Sequence, residues 1–390
     1  MERYFATTVK GIEPMLLKEL EGLGAKTLEP GSGGVGFEAD IETAYRANLW
    51  LRTALRVLQP VANFHCATAD DLYRAAYHVD WKKLVSPDGT MAVRANVRDN
   101  VNITHSKFAA LKVKDAVCDR IRDDVGRRPN VDVESPDLAL DLHLAGSEGV
   151  LSIDMSGDSL HRRGYRLERT EAPLRETLAA AIVDFTGWEG KTPFVDLMCG
   201  SGTFVIEAAL KAARMAPGLL GRSFAFERLL DFDRKLWDRV TAEARKGVRA
   251  TLDVPILGFD KDRDAIATSR ANAKRAGVEH LVKFETQPLS AWKAPVAGGP
   301  GTIVVNPPYG ERMGDEKSLE PLYTEIGDVF KREGQGYTGW VLTANKKLGQ
   351  AVGLRPSAKI PLWNGPLESR LLKFELYAAS RKTKYQKKDG

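Results

Sequence analysis

Between residues 193 and 345 the chain changes period again and again. Short apolar runs rich in β-branched residues lie at 193–198, 255–260, 281–285, 301–306 and 338–345. Stretches with helical spacing at 203–214, 263–277 and 319–333 separate most of them. An apolar run without polar alternation reads as a strand buried on both faces, and such a strand needs helices on both sides of its sheet. The alternation therefore predicts an α/β fold, a doubly wound parallel sheet. Its end differs. Two extended runs, 358–363 and 370–379, follow with no long helix between them, which predicts an antiparallel hairpin at the sheet edge, the last strand reversed.

The N-terminal half reads differently. Strand, helix, strand and helix within the first 63 residues predict a small α+β region. A second α+β unit is expected over 64–158, with its main helix in "HSKFAALKVKDAVCDRIRDDV" and paired strands in "LALDLHLA" and "VLSIDMSG". Residues 159–174 are polar, basic and without period, and read as a linker to the α/β domain at 175–390. The segment 214–255 reads as a helical insertion after the first crossover helix, with packing as its default role.

With 390 residues the chain is long enough for two or three domains. No apolar stretch approaches the ~20 residues of a membrane helix, and the N-terminus lacks a signal-peptide core, so a cytosolic protein is expected. Cys66, Cys118 and Cys199 are scattered and the six histidines show no ligand spacing, so no metal is expected. Net charge is only +5, but basic residues gather between Arg94 and Arg128, in "HRRGYRLER" and in the tail 381–388. Several such runs, two with aromatics interleaved, fit a polyanion partner.

"VDLMCGSGTFVIEAAL" runs strand, turn, helix. Gly200 and Gly202 allow a tight turn and close approach of a ligand. A dinucleotide fingerprint needs a third glycine where Val205 stands, and a P-loop needs a Gly-Lys-Ser/Thr that is absent. Asp196 beside the turn would repel a pyrophosphate and attract an ammonium group. A ligand with an amino-acid end and a ribose fits, and S-adenosylmethionine has both. Asp260, at the end of the next strand, would take the ribose diol. The bland alternative for each acid is a helix N-cap.

"GTIVV" runs directly into "NPPYGER". Pro307 and Pro308 fix φ at two successive positions and remove two amide donors. What remains is acceptors, the Asn306 side-chain oxygen and the Pro307 carbonyl, which could hold both hydrogens of a planar amine. Tyr309 offers a flat face for a heterocycle. The contribution to rate would come from positioning and fixed dipoles. A plain loop with a core-capping tyrosine is the alternative.

"DLMCGSGT", "GFDKD" and "NPPYGER" resemble the motifs of class I S-adenosylmethionine-dependent methyltransferases of exocyclic amines. "FATTVKGIEPMLLKELEGLGA", "DMSGDSLHRRGYR", "APLRETLAAAIV" and "NGPLESR" extend the likeness to the THUMP-domain RNA guanine-N2 methyltransferases, above all those acting on bacterial 23S ribosomal RNA. The resemblance covers nearly the whole chain. It implies an N-terminal ferredoxin-like region and a THUMP domain that bind RNA, a C-terminal Rossmann-like class I methyltransferase domain with a reversed last strand, and guanine as the base. It assigns Asp196, Cys199, Gly200, Gly202, Thr203, Asp260 and Lys261 to the cofactor, and Asn306, Pro307, Pro308 and Tyr309 to the target. Where the family often has an acid near the adenine, this chain has Gln287 and Pro288; Gln287 can still hydrogen-bond the adenine. Some relatives continue into a second methyltransferase domain, which the basic tail here does not announce.

A base inside a duplex cannot reach Asn306, so the target must be flipped or unpaired. Lys107, Lys112, Lys114, Arg127 and Arg128, with Arg162, Arg163 and Arg166 of the linker, are the expected phosphate contacts. Competing readings are an adenine or glutamine amine methyltransferase, N2-guanine methylation of another structured RNA such as tRNA, and a non-catalytic RNA-binding assembly factor. A covalent thiol mechanism is excluded because tyrosine, not cysteine, follows the prolines.

Overall fold

A computed structural model describes residues 1–166, 174–309 and 315–377. The chain divides into two compact units, one of residues 1–9, 16–162 and 221–243, the other of residues 10–15, 163–220 and 244 onward. The tail 381–388 and Gly310–Arg312 of the "NPPYGER" run lie outside the described residues.

In the first unit the strands are β1 (Glu2–Thr7), β2 (Lys26–Gly31), β3 (Gly34–Ala39), β4 (Arg56–His65), β5 (Thr90–Arg98), β6 (Asn130–Val131), β7 (Leu138–Ala145) and β8 (Glu148–Asp154). The helices are α1 (Glu13–Gly22), which begins in the residues assigned to the second unit, α2 (Ile41–Trp50), α3 (Ala69–Tyr77) and α4 (Ser106–Val125). Both expected α+β regions form, but they share one sheet of order β2-β3-β1-β4-β8-β7-β5-β6 among the described residues. Strand β4 joins them. Its first residues pair with β1 (Phe5 with Leu58), and its length from Leu58 to His65 pairs with β8. The boundary expected at residue 63 thus falls inside a strand, because ten residues of β4 serve both halves.

The second unit contains α5 (Glu176–Phe185), β9 (Phe194–Asp196), α6 (Thr203–Ala212), then, after an excursion, β10 (Ile256–Asp260), α8 (Arg263–Arg275), β11 (Lys283–Thr286), β12 (Gly301–Val305), α9 (Asp315–Glu333), β13 (Tyr337–Thr343), α10 (Lys346–Ala351), β14 (Ala358–Asn364) and β15 (Leu367–Glu375). The excursion carries α7 (Arg234–Lys246). The sheet order is β11-β10-β9-β12-β13-β15-β14, with β9 to β13 parallel and β15 antiparallel to both neighbours. Strand order reverses between β9 and β12, which makes their carboxyl ends the switch point where open α/β sheets bind ligands. Ile303, Val305, Ile326, Phe330 and Phe374 bury their side chains in one core between sheet and helices. Each such burial is worth about 1.5–3 kcal/mol.

Two segments depart from their sequence reading. Residues 221–243 of the insertion belong to the first unit. Phe226 stacks on Tyr45 of α2 at 4.4 Å and 19°, and Phe232 and Trp237 meet the same ring edge-on. Arg46 and Arg239 share Glu42 beside them. The second departure is the expected linker 159–174: Leu160, Arg163 and Tyr165 are buried, and from Arg163 on the described residues belong to the second unit. Polar residues there are interior because they find partners, Arg163 and Tyr165 both meeting Glu207.

Candidate functional site at the carboxyl edge of the second sheet

The glycine turn is held by backbone and side chain together. Cys199 donates its N–H to the Phe259 carbonyl and Gly202 closes the turn onto the Cys199 carbonyl at 2.7 Å. Gly200 and Gly202 have φ of +52° and +82°, which a residue with a Cβ adopts only with strain. A Cβ on Gly202 would lie 3.1 Å from the Phe284 ring and from Ser269, whereas one on Gly200 would meet nothing within 4 Å. Gly202 is thus demanded by packing behind the turn, and Gly200 faces open space at the switch point.

Asp260 ends β10 beside that space. Its carboxylate accepts from the Gly200 N–H at 2.9 Å and from the Asp262 N–H at 3.0 Å. It is not the cap of α8; Asp262 is, accepting from the Asp264 N–H. The cap alternative therefore fails for Asp260, whose carboxylate ties the glycine turn to the next strand. Asp196 is buried, accepts one N–H from Met198 at 3.1 Å, and has its pKa raised to about 8 by burial, with the nearby Asp260 charge adding to the rise. Burial and the Asp196 charge likewise push the Cys199 thiol well up, so it is no thiolate nucleophile. Thr203 opens α6 and Lys261 is exposed next to Asp260, while Gln287 donates its backbone N–H to the Asp260 carbonyl at 2.9 Å.

In the register of β9 and β12, Val304 faces Asp196, so Asn306 emerges at the level of the glycine turn. Pro307 is buried, Pro308 exposed and Tyr309 half-buried. The Tyr323 hydroxyl donates to the Pro308 carbonyl at 3.3 Å and pairs with Thr343 Oγ1 at 3.1 Å. Asn364 Nδ2 donates to the Tyr309 hydroxyl at 3.1 Å. The loop is therefore held at Pro308 and Tyr309. Asn306 Oδ1 is buried with no hydrogen-bond partner. An orphaned buried acceptor costs about 1–3 kcal/mol, and such groups collect where a ligand supplies the donor.

The eight expected phosphate contacts are scattered. Lys107, Arg127, Arg128 and Arg162 are exposed, though Arg127 is paired with Asp88 at 2.7 Å and Arg162 lies 3.5 Å from Asp158. Lys112 lies over the Tyr73 ring and Lys114 is 2.7 Å from Asp115. Arg163 is a correction. Its side chain is 1% exposed and faces the Glu207 carboxylate at 3.5 Å, where no phosphate can reach it. Glu207 also accepts from the Tyr165 hydroxyl at 3.1 Å. Arg166 is half-buried and donates to Thr203 Oγ1 at 2.6 Å and to the Leu174 carbonyl at 3.0 Å, with Glu176 near its Nε. It braces the start of α6.

Sequence reasoning did not single out Ser269, which donates to the Gly200 carbonyl at 2.6 Å, or Asn272, which donates to the Ser201 carbonyl at 3.0 Å. Both lie on the buried face of α8 beside Ile266 and Ala273. Two polar residues three apart on an apolar helix face are the signal that could have found them. Tyr323 and Asn364 carried no such signal, since their partners are distant in sequence.

The geometry offers a carboxylate edge for a cationic, hydroxyl-bearing ligand beside a rigid acceptor loop with a half-open aromatic ring. Residues 163–373 match the family described as RMKL-like, methyltransferase domain; residues 3–58 match the RlmL ferredoxin-like domain and residues 66–154 the THUMP domain. The Synechocystis protein slr0064, provisionally described as an RNA methyltransferase, is 41% identical over 96% of this chain and 97% of its own length. The ribosomal RNA large subunit methyltransferase K/L of Syntrophotalea carbinolica is 44% identical over 96% of this chain, which spans 53% of that longer protein. The crystal structure of SMU.472, provisionally described as a methyltransferase and solved with S-adenosylhomocysteine, superposes with a TM-score of 0.88 at 32% identity, covering 97% of this chain and 99% of its own. Among the described residues no helix is long and apolar enough to cross a membrane, and no cluster of His, Cys, Asp and Glu could hold a metal.

Proposed function

The chain belongs to the RMKL-like methyltransferases, whose methyl donor is S-adenosylmethionine, and on that premise we propose that it methylates the exocyclic N2 amine of a guanosine in 23S ribosomal RNA. The observation that carries the reading is the buried, unpartnered Oδ1 of Asn306 level with the glycine turn.

Bound S-adenosylmethionine supplies an electrophilic methyl group on a sulfonium. Asp196 and the Gly200–Gly202 turn hold its methionine end, Asp260 its ribose, and Gln287, at the end of β11, its adenine. Cys199, Thr203 and Lys261 complete the rim. Asn306 Oδ1 and the Pro307 carbonyl accept the two amine hydrogens of the target base. That pulls the nitrogen lone pair out of conjugation with the ring and aims it across the edge from β12 towards β9. Tyr309 stacks on the base, its ring orientation fixed by Asn364. As the nitrogen–carbon bond forms and the carbon–sulfur bond breaks, nitrogen gains positive charge beside two fixed acceptor dipoles. The proton is then lost to water without a strong base. Preorganised acceptors of this kind are worth about 10²–10³ in rate each.

Of the eight cationic residues, Lys107, Lys112, Lys114, Arg127, Arg128 and Arg162 remain the proposed phosphate contacts. The domain limits proposed are a ferredoxin-like region, a THUMP domain and a methyltransferase domain that starts at Arg163 instead of residue 175. The test is transfer of tritiated methyl from S-adenosylmethionine to unmodified large-subunit RNA. Asn306→Ala is expected to lose at least about 100-fold in kcat while keeping its affinity for S-adenosylhomocysteine. An unchanged rate in the variant would remove Asn306 from the reaction, and a parent that transfers no methyl to any RNA would favour a non-catalytic RNA-binding factor with a methyltransferase fold.

A further inference from the structure

The carboxyl edge of the second sheet has two chemically opposite halves. The β9–β10 half presents Asp196 and Asp260. Beyond β12, on the β13–β15 half, a groove of about 380 Å³ is walled by Asn345 and Lys346 on one side and by Lys359, Glu368 and Arg370 on the other. That volume lies in the range of sites that take small organic ligands. Lys346, Lys359 and Arg370 are exposed cations; Glu368 is the acid in the lining, 3.9 Å from Arg370, and Glu316 stands behind Asn345, paired with Lys347. Leu354 and Leu372 give the same groove apolar surface.

The groove is tied to the target loop by hydrogen bonds. Thr343, in its lining, hydrogen-bonds Tyr323, which donates to Pro308. The β14–β15 hairpin that carries Lys359 and Arg370 also carries Asn364, the partner of Tyr309. Arg370 stands opposite Thr343 in the β13–β15 register, so its guanidinium starts from the edge of the sheet where Asn306 emerges.

We propose that this groove holds a nucleotide of the substrate strand adjacent to the methylated one, with Lys359 and Arg370 on its phosphate. The inference rests on the reading of Asn306 to Tyr309 as the base-holding loop. A strand that delivers one base to Tyr309 must carry its flanking phosphates away from that point. Asp260 repels them on that half, which the cofactor claims. The basic groove is on the other side, and its apolar lining suits a ribose or base. Phosphate contacts here fix register without reading sequence.

The test compares the parent protein with Lys359→Glu/Arg370→Glu on in vitro transcribed large-subunit RNA. The KM for RNA is expected to rise at least about tenfold, with kcat at saturating RNA within about twofold and S-adenosylhomocysteine affinity unchanged. The dependence of log binding constant on log salt, measured by fluorescence anisotropy, falls in slope by about 1.4 for two lost single-strand phosphate contacts. Lys359→Arg/Arg370→Lys keeps the parent KM, and Lys191→Glu, at the far end of β9, changes neither quantity. A parent that methylates the RNA and a double-Glu variant with the parent KM and salt slope overturn the groove alone. A parent that transfers no methyl to ribosomal RNA overturns the proposed function and the groove with it.

Discussion

Removing Arg163 should unfold the methyltransferase unit more readily and leave the salt dependence of RNA binding untouched. Its guanidinium Nε is 3.5 Å from Glu207 Oε1, with the two side chains 1% and 0% exposed. At that distance and an effective dielectric constant of about 20, the attraction is about 5 kcal/mol. Deleting one partner leaves a carboxylate buried beside the Tyr165 hydroxyl, and broken buried pairs cost about 3–5 kcal/mol. For Arg163→Met, urea unfolding is followed at the transition that moves when S-adenosylhomocysteine is added, which assigns it to this unit. With m about 3 kcal/mol/M, the midpoint should fall by about 1–2 M. Arg163→Met/Glu207→Leu should recover most of the loss, because an apolar pair of similar volume is about as stable as a buried ion pair. A single variant that loses less than about 0.5 kcal/mol, and instead flattens the salt dependence of RNA binding, would refute the burial argument.

Asp196 has its pKa raised to about 8, while the unfolded chain titrates near 3.8. Between those values the folded state holds the extra proton, so its stability falls as pH rises from about 4 to about 8. The Tm of the cofactor-responsive transition should drop across that window in the parent and drop less in Asp196→Asn. Gly202→Ala should destabilise the unit by more than the ~1–2 kcal/mol of a left-handed alanine, since its Cβ meets Phe284 and Ser269 at 3.1 Å. Gly200→Ala has open space and should cost stability only through φ, so calorimetry should show its main loss in cofactor affinity. Tyr323→Phe removes the hydroxyl that holds Pro308 and should lower kcat about fivefold, the worth of one hydrogen bond of about 1 kcal/mol, without changing cofactor affinity.

The α/β sheet was legible because each strand is a short apolar run and each crossover helix has its own period. The same periodicity placed Asp196, Asp260 and Asn306 at strand ends, and parallel pairing did the rest. Arg163 and Arg166 were misread as surface cations for a physical reason: a sequence shows charge but not which acid the fold brings against it, Glu207 for Arg163 and Glu176 for Arg166. The inserted aromatics Phe226, Phe232 and Trp237 gave no hint of Tyr45, since a partner 181 residues distant leaves no local pattern. Strand β4 concealed the joint between the first two regions because one continuous strand carries no turn residue at its middle.

If one sheet edge brings a sulfonium methyl to an amine held by Asn306, the methyl group must end on N2 of a guanosine. Incubating the protein with unmodified large-subunit RNA and trideuteromethyl S-adenosylmethionine, then digesting to nucleosides for mass spectrometry, tests it most directly. Trideuterated N2-methylguanosine is expected from the parent and is lost in Asn306→Ala. Label appearing in N6-methyladenosine or a carbon-methylated base, or persisting in Asn306→Ala, would contradict it.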